Sequence, residues 1–483
     1  MKMSANSRQL SGLALALLFC INVFMQIPNI ITRAGLGLLA PIVAAGALTG
    51  CKDSSSTTTA APTGISKVGH VIVIYMENHS FDNLYGEFPG ANGLSNATAS
   101  EYTQIDTATG KPYTTLPWND ASFSPQPSLV DKYFDIDSMK PASQETEDLV
   151  HRYYQEMAQI DGGKMDKFVA YSNAKGLVMG YYHTAQLPMF PIVQQYTLCD
   201  NFFHSAFGGS FLNHIYMVSA AAPMFQNAPS SLVAKGIQSN GNIIDGAVSP
   251  DYYGINTLQP TPNPHAPTAA ANLLPLQTMP TIGDRLDAKG ISWAWYSGGW
   301  NNILSGHASH NDSSLFQYHH QAFNYFAKYG GGPDSVRNKY LKDETDFMTA
   351  LSNGTLPAVS FVKPYGINNE HPGYTDVITG ENHLVSLVNA IKASPIWNDC
   401  VVIITYDEHG GFWDHVAPPV IDKWGPGSRV PGIIISPFAK KGYVDHTQYE
   451  TVSILAFIEK RWGLQPLGTR DAAANPFTNA LQF

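Results

Sequence analysis

Hydrophobic positions along this chain fall into two rhythms. Short unbroken runs of β-branched and aromatic residues stand at 71–75 (Val-Ile-Val-Ile-Tyr) and 401–405 (Val-Val-Ile-Ile-Thr), with fainter ones at 196–203, 292–296, 358–362 and 432–436. Such runs read as strands buried on both faces, the pattern of a parallel sheet covered by helices. Between them, apolar residues recur at three- and four-residue spacing over 146–159, 163–172, 282–289, 344–351, 383–392 and 449–462, which predicts helices. This alternation predicts an α/β fold, a doubly wound and mostly parallel sheet flanked by helices. Residues 222–280 break the rhythm: they are rich in Pro, Asn, Ala and Gly and read as an irregular insertion forming a cap over the site.

What the two strongest strands deliver at their ends is chemistry. The run 401–405 passes straight into Tyr406-Asp407-Glu408-His409-Gly410-Gly411-Phe412-Trp413-Asp414-His415. Two adjacent carboxylates at the end of a buried strand need something positive to hold them there, and the carboxyl ends of parallel strands are where ligands bind in open α/β sheets. The run 71–75 likewise leads to Glu77 and Asn78. Two oxygen pairs distant in sequence can converge on one ion across a parallel sheet. Hard oxygen donors suit Mg, Ca or Mn, and the neighbouring histidines also permit Zn. A third segment, Gly208-Gly209-Ser210, precedes a periodic apolar stretch (Phe211, Leu212, Ile215, Tyr216, Val218) that reads as a helix. Ser210 then stands at or near a helix N-terminus, where free N–H groups favour an anion; a serine there also serves as a plain cap.

These segments carry a family resemblance. The chain resembles the bacterial acid phosphatase / phospholipase C phosphoesterase family, whose catalytic domain is similar to alkaline phosphatase. The matching stretches are Glu77-Asn78-His79-Ser80-Phe81-Asp82, residues 207–216, Asn369-Glu370-His371-Pro372-Gly373, residues 406–419 and residues 429–437, all in order. The resemblance implies a serine nucleophile at Ser210 and a divalent metal ion held by Glu77, Asn78, Asp407 and Glu408. It also implies phosphate-binding or proton-donating histidines at His371 and His151, a further catalytic histidine at His320, and Asn213 as a substrate-binding residue. His319, His307 and His310, in the same polar and aromatic stretch as His320, read individually as surface or packing residues. His409 and His415 read as groups that orient the metal ligands.

Composition sets limits on partners. The chain has 483 residues, 44% hydrophobic and 14% charged, with a net charge of −10 and no run of Lys or Arg beyond the N-terminus. That excludes nucleic acid as the main partner, since backbone binding requires clustered positive charge. A small phosphate ester or a phospholipid headgroup stays admissible, because an ion and local histidines reverse the field inside a site. The N-terminus, 1–50, reads as an export segment. Its second apolar run ends in Ala47-Leu48-Thr49-Gly50-Cys51, which resembles a bacterial lipobox with Cys51 lipidated. A start at Met25 gives a leader of conventional length, and a transmembrane helix is the competing reading. The expectation is an exported, periplasmic protein held to the membrane by a lipid anchor. Residues 51–65, rich in Ser, Thr and Ala, read as a tether, residues 66–465 as the catalytic domain and 466–483 as a tail. Cys199 and Cys400 remain in the mature body, either bonded or as two buried thiols.

The expected chemistry is phosphoryl transfer through a phosphoserine, with the cation activating the Ser210 hydroxyl and neutralising phosphoryl charge. A serine nucleophile, and a chain that ends about twenty residues after the last predicted helix, favour the acid phosphatase branch of the family. Phospholipase C activity is the alternative, and a non-catalytic lipoprotein that binds phosphorylated ligands is a reading from another class. The sequence leaves the oligomeric state open.

Overall fold

The computed structural model describes residues 62–120, 126–306 and 315–483. The export segment with Cys51, nearly all of the tether, and His307 and His310 lie outside the described residues.

An eight-stranded sheet carries the architecture. Its strands, in chain order, are β1 (His70–Met76), β2 (Thr197–Cys199), β3 (Trp293–Ser297), β4 (Leu341–Lys342), β5 (Val359–Lys363), β6 (Cys400–Tyr406), β7 (Gly432–Ile435) and β8 (Tyr443–Asp445). They stand side by side as β4-β3-β5-β1-β6-β7-β2-β8. All pairs are parallel except the two that β7 makes with β6 and β2. The apolar runs occupy the centre: β1 lies between β5 and β6, and Val71–Met76 and every residue of β6 are buried. Helices cover both faces, among them α1 (Tyr153–Ile160), α2 (Ser210–Ser219), α3 (Val377–Ala393) and α4 (Thr451–Trp462). The α/β reading holds, with a mixed sheet of mostly parallel strands.

Several predicted elements are shorter than their pattern. The helix expected over 146–159 begins only at Tyr153, because 146–152 run without regular structure and present Asp148 and His151 to the site. The helix expected over 163–172 is reduced to Phe168–Tyr171. The single strand expected over 196–203 breaks at Asp200, so Thr197–Cys199 joins the main sheet while Phe202–Phe203 pairs with Tyr449–Glu450. β4 and β8 carry no long apolar run and escape a hydropathy reading.

Residues 222–280 contain only 3-10 turns and a short hairpin, Gly236–Ile237 with Ile243–Ile244. Asn256 and Thr257 from this insertion line the site cavity. Residues 466–483 pack onto the body: the Phe477 ring lies 4.7 Å from that of Tyr449 and 6.0 Å from that of Phe202. Cys199 and Cys400 are buried free thiols. Their strands, β2 and β6, are separated by β7, about 9–10 Å at the usual strand spacing, beyond the reach of a disulfide. Among the described residues, no helix is long and apolar enough to cross a membrane.

Candidate active site

The site forms where β1 and β6 end together. Met76 and Tyr406 are partners in the parallel register, so Glu77-Asn78 and Asp407-Glu408 leave the sheet side by side. The two loops are interlocked. Asn78 adopts a left-handed backbone (φ 68°), and its N–H donates to Asp407 Oδ1 at 3.2 Å. The N–H of Glu408 donates to the same oxygen at 2.9 Å, and the N–H of Gly410 to Glu408 Oε2 at 2.7 Å. Gly410 has φ +62°, and a Cβ there would lie 1.9 Å from the Asn78 carbonyl oxygen. Only glycine fits that turn.

Charge is concentrated and incompletely balanced. Glu77, Asn78, Asp407 and Glu408 are all fully buried. Lys363, the last residue of β5, places Nζ 2.7 Å from Glu77 Oε1; His320 pairs with the same oxygen, and His371 Nε2 lies 3.6 Å from Oε2. Burial opposes the Glu77 charge, yet His320 and Lys363 hold its carboxyl well below the usual range. The other acids are less fully compensated. Burial, with Glu77 adding to it against the pull of Lys363 and Ser210, pushes Asp407 up to about 6. Burial and the adjacent Asp407 push Glu408 well above its ordinary value. Asn78 Oδ1, Asp407 Oδ2 and Glu408 Oε1 are buried with no hydrogen-bond partner. Unpartnered buried oxygens next to crowded carboxylates are what a hard divalent cation satisfies, so these four residues fit the group the sequence calls for.

Ser210 is the first residue of α2, following Gly209. Gly208 has φ +87°, and a Cβ on Gly209 would approach the His151 carbonyl oxygen to 2.8 Å. The two glycines therefore let the helix start directly against the segment 148–152. The Ser210 hydroxyl lies beside Asp407 and helps to lower its pKa. Ser210, His151, His371, His319, Tyr374 and Gln317 are among the residues lining one cavity of about 360 Å³. His151 and His371 are oriented alike. Each ties Nδ1 to a backbone carbonyl, Leu149 at 2.5 Å and Pro372 at 2.6 Å, which leaves Nε2 facing inward. His371 is also stacked on Tyr374, with ring centroids 3.9 Å apart. The start of a helix with exposed N–H groups, two inward Nε2 atoms and a serine hydroxyl make an anion site with a nucleophile in it.

The expected residues do not all come to the cavity. Ser210, His151 and His371 line it, and the Glu77–Asn78–Asp407–Glu408 cluster lies beneath. Asn213 corrects the expectation of a substrate-binding role. It is fully buried, its Oδ1 accepts the N–H of Ala206, and its Nδ2 donates to the carbonyls of Ala206, Gly208 and Gly209. It braces the loop before Ser210 and has no atom left for a ligand. His320 is buried behind the cavity against Glu77, while its neighbour His319, read as a packing residue, lines the wall. Burial also depresses His151, so its cationic form is harder to reach than mild acidity alone implies. Two participants were missed. Lys363 ends a buried apolar strand, and a lysine at the carboxyl end of such a strand was a readable signal. His214, one helical turn after Ser210, sits with Nδ1 3.6 Å from Asp407 Oδ2.

Residues 68–465 match the family model described as "Phosphoesterase family". The chain belongs to the Phosphoesterase family. Among curated relatives, phospholipase C B of Mycobacterium tuberculosis is 25% identical over 87% of this chain and 79% of its own length. The non-hemolytic phospholipase C of Pseudomonas aeruginosa is 23% identical over 87% of this chain and 58% of its own length. Among solved structures, a protein in the alkaline phosphatase superfamily from Vibrio parahaemolyticus aligns with 72% of this chain and 75% of its own at 10% identity and a TM-score of 0.33. This phosphoesterase is thus a phosphoric ester hydrolase, and the buried oxygen cluster under Ser210 is its candidate metal site.

Proposed function

We propose that this phosphoesterase hydrolyses small phosphate monoesters, with Ser210 as the nucleophile and a phosphoserine as the intermediate. The observation that carries the reading is the position of Ser210: first in α2, beside Asp407, and in the same cavity as the inward nitrogens of His151 and His371. The phosphoryl group rests against the first N–H groups of α2, with its remaining oxygens toward the histidines. Ser210 Oγ attacks phosphorus and passes its proton to the Asp407 carboxylate beside it; the P–Oγ bond forms as the ester P–O bond breaks, and the departing alcohol takes a proton from Nε2 of a wall histidine. Water then attacks the phosphoserine: its hydroxyl goes to phosphorus, its other proton restores the histidine, and Asp407 returns its proton to Ser210 as inorganic phosphate leaves. A divalent cation held by Glu77, Asn78, Asp407 and Glu408 supplies Lewis-acid charge neutralisation and a lowered hydroxyl pKa. Cavity walls of Asn173, Asn256, Thr257 and Gln317 suit a small polar ester.

A second reading, phospholipase C activity, is favoured by the names of the curated relatives. Turnover of p-nitrophenyl phosphate against p-nitrophenyl phosphorylcholine, measured across pH, separates the two. Preferential cleavage of the monoester supports the first reading, and preferential cleavage of the diester replaces it with the second. Acid quenching with a labelled monoester traps label on the Ser210 peptide if the intermediate forms; a burst of product with no label on that peptide defeats the mechanism. We also propose that Cys51 carries a lipid anchor in the exported protein. Cys51→Ser then shifts the chain from the membrane to the soluble fraction, and membrane retention by that variant lacking 1–33 opposes the anchor.

A further inference from the structure

One buried carboxylate is left over by this chemistry. Glu156, on α1, is fully shielded from solvent. Its Oε2 accepts the backbone N–H of Gly208 at 2.6 Å. Its Oε1 accepts the N–H of Ser428 at 2.8 Å, the Ser428 hydroxyl at 3.0 Å and His204 Nε2 at 2.8 Å. His204 Nδ1 meets the Ala206 carbonyl at 2.8 Å. An oxygen thus faces each ring nitrogen of His204, which fixes the plane of the ring against the carboxylate. His409 completes the cluster, with Nε2 3.6 Å from Oε1, Nδ1 on the Phe412 carbonyl at 3.0 Å, and its ring parallel to that of His204.

The contacts reach both halves of the site. Gly208 stands two residues before Ser210, and His409 one residue after Glu408. The packing has no slack: a Cβ on Gly208 would lie 2.5 Å from the Tyr153 nitrogen, and one on Gly427 would lie 2.2 Å from the His204 ring. Glu156, His204 and His409 offer ligand atoms within 4.8 Å of one another. Four donors already fill the carboxylate, however, which sets it apart from the equally buried but under-satisfied oxygens beneath Ser210.

We propose that Glu156 is a positioning residue: its carboxylate holds the loop bearing Ser210 through Gly208 and His204, packs against His409 of the loop bearing Asp407 and Glu408, and so sets the distance between nucleophile and ion site. The inference rests on the phosphoserine reading. Its force comes from acceptor count. A carboxylate takes donors on both oxygens, whereas an amide of the same shape turns an N–H toward either Gly208 or the Ser428–His204 side. Either way a residue that holds the Ser210 loop, Gly208 or His204, must shift, and a displacement of about 1 Å can lower turnover on the order of 100-fold.

The test is Glu156→Gln assayed on p-nitrophenyl phosphate with cation present. The expected result is a kcat lower by about 100-fold, with KM within about threefold and metal content unchanged, in protein whose near-ultraviolet circular dichroism is native. Ser428→Ala is the control, since it loosens Glu156 but keeps the Gly208 contact; its Tm falls while kcat stays within about threefold. If Glu156→Gln does not fold, Glu156→Asp keeps the charge and withdraws the carboxylate by one methylene, and it is read the same way. Folded Glu156→Gln with wild-type kcat overturns the positioning role, as does an equal kcat loss in Ser428→Ala. Ser210→Ala run in parallel separates the two levels. If it is inactive, only the role of Glu156 is at stake; if it turns over normally, the phosphoserine reading falls and takes the positioning role with it.

Discussion

Two buried charge clusters in this protein are built from the same two segments, 77–82 and 407–415, and they are finished differently. In the first, Glu77, Asn78, Asp407 and Glu408 lie beneath Ser210, and each of the four has a buried oxygen with no hydrogen-bond partner. In the second, Asp82, Asp414 and His415 surround Arg429, which is itself fully buried. Arg429 Nε donates to Asp414 Oδ1 at 2.8 Å and its NH2 nitrogen to Asp82 Oδ1 at 3.1 Å, while NH1 takes the Asn92 and Asp200 carbonyls at 2.8 and 2.7 Å. Its planar group lies 4.6 Å from the Phe81 ring centre. Every arm of the guanidinium is occupied. Burial depth is the same in both clusters, so depth does not separate a reactive group from a structural one. What separates them is whether the protein itself supplies the counter-charge. The satisfied cluster clamps the two loops, and the unsatisfied one keeps its oxygens for a ligand.

The contrast is broken most directly at Ser210. Ser210→Ala should lower turnover by about 10⁴-fold or more and leave folding stability within about 1 kcal/mol; a folded variant with near-normal activity would falsify the division. The converse test is Arg429→Met. Removing one partner of a buried ion network costs about 3–5 kcal/mol, so chemical denaturation should show a loss of that size while kcat per folded molecule stays within about threefold. A stable but inactive Arg429→Met would move that cluster into the catalytic machinery. A third test sharpens the difference. With exhaustive chelation the wild type should lose activity and stability together, because the crowded acids are left to repel one another. In the chelated state Asp407→Asn should be more stable than wild type by about 1–2 kcal/mol, whereas Asp82→Asn, made in the satisfied cluster, should be less stable than wild type. The reverse order in thermal melts would abolish the distinction.

The smallest effect concerns pH. Burial alone would lower His415, but Asp82, at 2.5 Å from Nδ1, raises it above its ordinary value of 6.5. A histidine whose folded pKa is raised contributes stability that is fully present below the unfolded value and lost as pH climbs through the folded one. Wild type should therefore lose stability above about pH 6.5 with a slope from this group of at most about 1.4 kcal/mol per pH unit. His415→Gln should flatten that part of the curve without changing the pH dependence of turnover. An unchanged stability curve would remove His415 from the clamp.

These clusters also mark how far the sequence could be read. β1, β6, β5 and β7 announce themselves as apolar runs, and the pairs Glu77-Asn78 and Asp407-Glu408 stand at strand ends where ligands gather, so the core of the site was legible from pattern alone. Asn213 was misjudged because a polar residue one turn into the helix after a nucleophile looks free, and only tertiary structure shows its amide bound to the backbone of 206–209. His319 and His320 could not be told apart, since adjacent histidines on a 3-10 turn diverge: one enters the wall of the cavity and the other pairs with Glu77. The antiparallel direction of β7 was invisible for a similar reason; apolar periodicity reports burial and carries no sign of direction. Residues 146–152 misled most, because a helical rhythm there yields to an open segment that delivers His151.

The place of β1 in the sheet has a consequence for how this protein is made. The segment built first occupies the middle, and its end touches a loop 329 residues further along the chain. Synthesis at about 5–20 residues per second puts roughly a quarter to one minute between the two. Until residue 359 is made the Val-Ile run of β1 has neither neighbour, and the second, at 400–406, follows about forty residues later. Contacts this distant in sequence slow folding and leave an apolar strand open to aggregation. The central sheet thus cannot close around β1 until the last quarter of the chain emerges, and a holdase that covers 70–76 should raise the yield of folded protein more than any factor acting on the C-terminal strands.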